Sequence, residues 1–337
     1  MTARRLFPRF AVAAALTLLL AGPALAVRRT EEPVALLPAD AATVAVLHWD
    51  ELRASPLGAQ VFAQMDEVST DGDAARFLQE TGLTPREDID TMILAMTRGT
   101  HADLSEALVL FEGRFDLARI ASALKARGAW LKSGASGDYY RLSHDGGGRD
   151  GAVALVNARL VIAGTEASVV AALERRENGG AGGLMSGQGL GRSLGRVDRD
   201  ASAWALVDLT RFPSTQGREA HVEIHSDEGS EPSRAIVGAM KSVSLVALQA
   251  KVHGDEVDFS ATGLTTDAES RGLLEDSLRG LLAMWRLAVQ QKNPELVSVI
   301  RRFRVENDGE GVSISGTLPG SFLRSLASSS NREASNR

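Results

Sequence analysis

Leu108-Val109-Leu110-Phe111-Glu112-Gly113 reads as a strand that stops on a glycine, and Leu117, Ile120, Ala121 and Leu124 follow at helical spacing. The unit recurs three times. Leu160-Val161-Ile162-Ala163-Gly164 leads to Val169, Val170 and Leu173. Val257-Asp258-Phe259-Ser260-Ala261-Thr262-Gly263 leads to Leu273, Leu274 and Leu278, and Val312-Ser313-Ile314-Ser315-Gly316 leads to Phe322, Leu323 and Leu326. A glycine in this place implies a crowded exit from strand to helix, where a side chain would not fit.

Spacing groups the four units into two pairs. Gly113 and Gly164 are 51 residues apart, Gly263 and Gly316 are 53 apart, and the pairs are offset by 150 and 152. A period near 150 residues is too long for a solenoid and suits a domain. Each half opens on its own strand, expected at 42–49 and at 202–208. Turn residues at His253-Gly254-Asp255-Glu256, Asn157-Ala158 and Asn307-Asp308-Gly309-Glu310 mark hairpins between successive strands. The expected fold class is therefore α+β: two related modules of antiparallel sheet with helices packed on one face, preceded by a signal peptide.

The layout divides as signal peptide 1–26, leader 27–41, first module 42–178, linker 179–198, second module 199–327 and flexible tail 328–337. The linker assignment rests on eight glycines between positions 179 and 195, a composition that loses much entropy on ordering. Ser55-Pro56 and the capping boxes Thr84-Pro85-Arg86-Glu87 and Thr266-Asp267-Ala268-Glu269 mark helix starts. Trp49 and Trp204, on the two opening strands, read as paired core anchors.

The N-terminus carries the export signature. Arg4, Arg5 and Arg9 precede the apolar run 10–20, Gly22-Pro23 breaks it, and Ala24-Leu25-Ala26 supplies the small residues for cleavage after Ala26. That run is about half of the ~20 residues a spanning helix needs, so no transmembrane anchor is expected after cleavage. The expected localisation is periplasmic or secreted. Loss of three Arg and no acid takes the formal charge from −6 to −9, which argues against a nucleic-acid partner. With no cysteine, disulfides, thiolate metal sites and cysteine nucleophiles are excluded.

Candidate chemistry is sparse. His221-Val222-Glu223-Ile224-His225 would place His221, Glu223 and His225 on one face of a strand, a donor set suited to a divalent transition metal. A half-buried strand with one wet face produces the same pattern, so no cofactor is required. The glycine run lacks phosphate-loop spacing, with Arg192 where a glycine would be needed. Asp145-Gly146-Gly147-Gly148-Arg149-Asp150-Gly151 lacks the oxygen ladder of a calcium loop and reads as a hairpin connection. Ser122-Ala123-Leu124-Lys125 lies on an amphipathic helix without the companion motifs of penicillin-interacting enzymes. After Thr266, Leu274, Leu278, Leu281, Leu282, Trp285 and Ala288 form an apolar stripe: core against a sheet, or the wall of a groove for an apolar ligand.

Leu36-Leu37-Pro38-Ala39-Asp40, Leu52-Arg53-Ala54-Ser55-Pro56-Leu57-Gly58 and Thr81-Gly82-Leu83-Thr84-Pro85-Arg86-Glu87-Asp88-Ile89-Asp90 together resemble exported bacterial proteins of the DUF3352-like type. The resemblance covers mainly residues 33–175. It implies an envelope protein of two α+β modules and supplies no reaction, cofactor or catalytic residue.

The functional expectation is an exported, non-catalytic binding or interaction protein of the cell envelope, partnered by an envelope protein or a small ligand. The alternatives are a metal-dependent hydrolase using His221, Glu223 and His225, and a carrier of a lipid or other apolar ligand.

Overall fold

The computed structural model describes residues 32–56, 58, 72–98, 106–142, 150–211, 242–292 and 294–322. The signal peptide with its cleavage point after Ala26, the metal candidates His221, Glu223 and His225, and the tail 328–337 lie outside these residues.

The first half supplies strands β1 (Thr43–His48), β2 (Ile89–Thr97), β3 (Glu106–Gly113), β4 (Trp130–Gly134), β5 (Gly137–Leu142), β6 (Gly151–Asn157) and β7 (Leu160–Thr165). The second supplies β8 (Ala203–Asp208), β9 (Val243–His253), β10 (Glu256–Thr265), β11 (Arg304–Asn307) and β12 (Gly311–Pro319). All twelve join one sheet in the order β11-β12-β10-β9-β8-β1-β2-β3-β7-β6-β5-β4. Every pairing is antiparallel, including the seam between β1 and β8. The chain is α+β, built on a large antiparallel sheet. Outward from the seam the order reads the same both ways for four strands: opening strand, two sequential strands, then the strand that carries Gly164 or Gly316.

The helices are α1 (Glu32–Ala35), α2 (Trp49–Arg53), α3 (Gly72–Thr81), α4 (Pro85–Asp88), α5 (Leu117–Ala126), α6 (Glu166–Glu177), α7 (Ala268–Lys292) and α8 (Pro294–Ile300). They cover both faces of the sheet, which corrects the expectation of one. Strand alternation is the cause. Val44, Val46, Leu108, Leu110, Trp204 and Leu206 project to one side, where α6 contributes Val169, Ala172 and Leu173. Ala45, Leu47, Leu94 and Ala205 project to the other, where α5 contributes Ile120 and Leu124. Central strands that are apolar on both faces need cover on both. Trp204 and Trp49 fall into these opposite clusters, so they are not a pair; Trp49 opens α2 instead of ending β1.

Two segments expected to lie outside the modules are part of the core. In the leader, Leu36 and Leu37 are buried, and Arg175 Nε of α6 donates to Leu36 O at 2.7 Å. The segment expected as a linker folds into 3-10 turns at Leu184–Ser186 and Gly189–Arg196, burying Leu184, Leu190 and Leu194. Gly180, Gly183, Gly189 and Gly191 serve close packing, whereas a Cβ on Gly179, Gly182, Gly187 or Gly195 would meet nothing within 4 Å. A Cβ on Gly183 would lie 1.9 Å from Ala35 O, and one on Gly191 would lie 2.0 Å from Leu184 O. The entropy lost on ordering glycine is opposed here by contacts that only glycine permits.

The repeat glycines also act by making room. A Cβ on Gly113 would meet Asp88 O at 1.9 Å, and one on Gly164 would meet Ala107 O at 2.3 Å. In the second half the crowding comes from side chains, Leu274 at 3.2 Å for Gly263 and the Phe303 ring at 2.8 Å for Gly316. Helix starts are set by other oxygens than two of the expected capping boxes. Thr84 makes no side-chain cap, and its amide donates to Asp88 Oδ2 at 2.8 Å. Asp267, in place of Thr266, caps α7 by accepting from Ser270 N at 2.7 Å. The Ser55 cap is as expected, with Gly58 N donating to Oγ at 2.9 Å.

Candidate functional site

The second half treats its two sheet faces differently. On β10, Val257, Phe259 and Ala261 alternate with Asp258, Ser260 and Thr262; on β12, Val312, Ile314 and Leu318 alternate with Ser313, Ser315 and Thr317. Phe259, Val312, Ile314 and Leu318 meet α7 and α8, where Leu274, Leu282, Val299 and Ile300 are buried, and Val257 joins the cluster on the same face under α5. The polar set therefore faces away from both helices.

Register assembles that polar set into rows. Gln249, Ser260, Ser315 and Arg304 lie side by side across β9, β10, β12 and β11, and Lys251, Asp258 and Thr317 form the next row. Together they floor an open trough of about 700 Å³. One wall is the chain that leaves the glycine-rich turns: Asp198 N donates to Gln249 Oε1 at 2.7 Å, and Lys251 Nζ lies 3.3 Å from Asp198 Oδ2. The opposite wall is Arg301 and Arg302, in the turn between α8 and β11. Arg196 ties the same glycine-rich turns to the β11–β12 hairpin through Asp308, at 3.3 Å, and Glu310.

Several charges in the trough are neutralised locally. Asp258 accepts from Thr317 Oγ1 at 2.7 Å and has His253 Nε2 at 3.5 Å, and Arg302 Nη1 donates to Glu256 Oε1 at 2.6 Å. Among the described residues, Arg301 and Arg304 make no ion pair and no side-chain hydrogen bond. The lining carries four cations, Lys251, Arg301, Arg302 and Arg304, against the carboxylates of Asp198 and Asp258. A chain of formal charge −6 thus presents a locally positive concavity.

A second polar cluster is closed on itself. Glu166, at the start of α6, accepts from Lys132 Nζ at 2.7 Å and from Tyr139 Oη at 2.8 Å, with Arg141 Nε at 3.2 Å. The Lys132 hydrogen bond leads in holding the Glu166 carboxyl below its ordinary value, against the effect of burial. Its partners are fully engaged, which makes it a structural clasp between β4, β5 and α6.

Helix α7 has its own asymmetry. Leu274 and Leu282 are buried, whereas Leu273, Leu281, Met284, Trp285 and Leu287 are exposed, Leu287 to 66%. The expected stripe is thus divided: Leu274, Leu278 and Leu282 are core, and Leu281 and Trp285 turn outward. Among the described residues no helix is long and apolar enough to cross a membrane, and no group of three or more His, Asp or Glu side chains is placed to hold a metal.

The strands of the trough are legible in the sequence, whereas the site itself is not among the candidates it yields. The available signal was the alternation Ser313-x-Ser315-x-Thr317 beside Asp258-x-Ser260-x-Thr262, a polar face as regular as the apolar one.

No protein-family model matches this chain, and no curated protein does. Solved structures of TP0453, a Treponema protein, are similar to it. Crystal form III shows a TM-score of 0.49 and 10% identity, covering 89% of this chain and 99% of that one. Crystal form I shows 0.43 and 10%, covering 90% and 98%. Crystal form IV shows 0.42 and 11%, covering 88% and 96%.

Proposed function

We propose that this chain is an exported, non-catalytic binding protein of the cell envelope, built from two related modules, whose ligand occupies the trough on β9, β10, β12 and β11. The observation that carries the reading is a concave polar face whose Arg301 and Arg304 have no partner among the described residues. Guanidinium groups left without a carboxylate beside an open concavity are free to meet a solute. The mirrored strand order about the β1–β8 seam supports the two-module reading, and the arginine-led apolar N-terminus supports export. The test expresses the full chain in a bacterial host. Cleavage leaving Val27 as the first residue is expected, and a retained Met1 sinks export. Native mass spectrometry of the exported protein then shows a bound small molecule that Ser315→Trp, which fills the trough floor, expels. A ligand indifferent to that substitution removes the trough from consideration.

A second reading, a carrier of a lipid or other apolar ligand, is favoured by the outward Leu273, Leu281, Met284, Trp285 and Leu287 of α7. A co-purified lipid lost on Leu281→Glu and Met284→Glu, and kept on Ser315→Trp, would select it.

A further inference from the structure

Resting on the trough reading, we infer that its ligand carries a phosphate group, held by Arg301 and Arg304 at one end of the trough. Position comes first. Arg304 stands at the end of the row Gln249–Ser260–Ser315, and Arg301 stands in the turn just before that strand. Both line the same concavity, and neither has a partner among the described residues. The other two cations of the lining are engaged, Lys251 by Asp198 and Arg302 by Glu256.

Chemistry narrows the class. One guanidinium already engages both oxygens of a planar carboxylate through two parallel N–H···O bonds. Two guanidiniums beside a row of hydroxyls offer more donors than a carboxylate has oxygens to accept them. A tetrahedral phosphate, with three free oxygens and close to two negative charges, matches two guanidiniums together with the Ser260 and Ser315 hydroxyls. In the neighbouring row Asp258, with Thr317 donating to it, presents an acceptor for a hydroxyl or amine elsewhere on the ligand. The glycine run, whose spacing is wrong for a phosphate loop, leads into one wall of the trough and supplies none of the proposed phosphate donors. Those donors are side chains on β10, β12 and β11 and, for Arg301, in the turn before β11.

The phosphate could belong to a small soluble compound or to a lipid headgroup, and the experiment separates them. The full exported chain is titrated calorimetrically with inorganic phosphate, and with vesicles of phosphatidylcholine containing phosphatidic acid or phosphatidylcholine alone. Binding is expected to fall at least tenfold in Arg301→Gln/Arg304→Gln and to be partly kept in Arg304→Lys, while Arg279→Gln on α7 leaves it unchanged. Circular dichroism and the urea midpoint check that each variant is folded. Free phosphate binding without vesicle binding supports a soluble ligand; binding only to phosphatidic acid vesicles, with the same arginine dependence, supports a headgroup. No binding to either, or binding indifferent to the double variant, overturns the inference. A co-purified ligand expelled by Ser315→Trp but kept by the double variant overturns the phosphate inference alone. One kept by both overturns the trough reading too.

Discussion

Val46 of β1 stands directly opposite Trp204 of β8, and this pair sits in the seam that makes one sheet of two halves. Both side chains are about 2% exposed. The seam is therefore core, and the halves are expected to unfold together. Trp204→Ala should cost about 3–5 kcal/mol, as large-to-small changes at buried aromatics do. Urea unfolding followed by circular dichroism should keep a single transition at a lower midpoint. Two separate transitions in the unaltered chain would show that the halves are independent.

Leu190 lies in the glycine-rich turns and is 1% exposed. Leu190→Ala should cost about 2–5 kcal/mol by leaving a cavity under the turn. A flexible connector would give a change within about 0.5 kcal/mol, the usual range for surface positions. The urea midpoint decides between them.

Gly164 has Ala107 O 2.3 Å from where a Cβ would stand. Backbone cannot swing aside as a side chain can, so Gly164→Ala should destabilise by about 1–3 kcal/mol, the range for overpacked sites. At exposed Gly280, where a Cβ would meet nothing within 4 Å, Gly280→Ala should instead stabilise slightly through helix propensity. Thermal midpoints of the two variants should move in opposite directions.

The Glu166 clasp predicts a pH dependence whose sign follows from linkage. Its carboxyl is held below the ordinary 4.5, first by the Lys132 hydrogen bond. The stability it contributes is fully present above that ordinary value and is lost as pH falls through the lower folded-state value. Lys132 is raised above its ordinary 10.5, first by its bond to Glu166, so its share is present at neutral pH and is lost as pH rises through the higher folded-state value. Glu166→Gln should flatten the acid limb of a stability-against-pH curve and Lys132→Met the alkaline limb. Parallel curves for variant and parent would show that the clasp contributes nothing.

On α7, Leu282 is 5% exposed and Leu287 is 66% exposed. Leu282→Glu should unfold the helix from the sheet, because it buries a carboxylate without a partner. Leu287→Glu should leave the thermal midpoint unchanged, which separates loss of an apolar ligand from loss of fold.

Local features read well from the chain because neighbours in sequence decide them. The strand that ends at Gly113, the helix carrying Ile120 and Leu124, and the hairpin turn at Gly254 all depend on spacing and backbone allowances within a few residues. Failures came where a distant partner outweighs a local preference. The Thr84 cap is a local exception, because Asp88, only four residues on, accepts from the Thr84 amide. Leu36 and Leu37 look like leader until Arg175, 139 residues away, binds the carbonyl between them.

By itself the sequence determined that this is an α+β chain of alternating strands and amphipathic helices, with no thiol chemistry and two similarly spaced pairs of glycines. Periodicity and composition are properties of the chain alone, so they survive without knowledge of its partners. Only the tertiary structure decided that the halves share one sheet, that the segment 179–195 buries Leu184, Leu190 and Leu194, and that Arg301 and Arg304 border one trough. Strand register and backbone-to-backbone approach are relations between distant residues, set by which surfaces bury the most apolar area together.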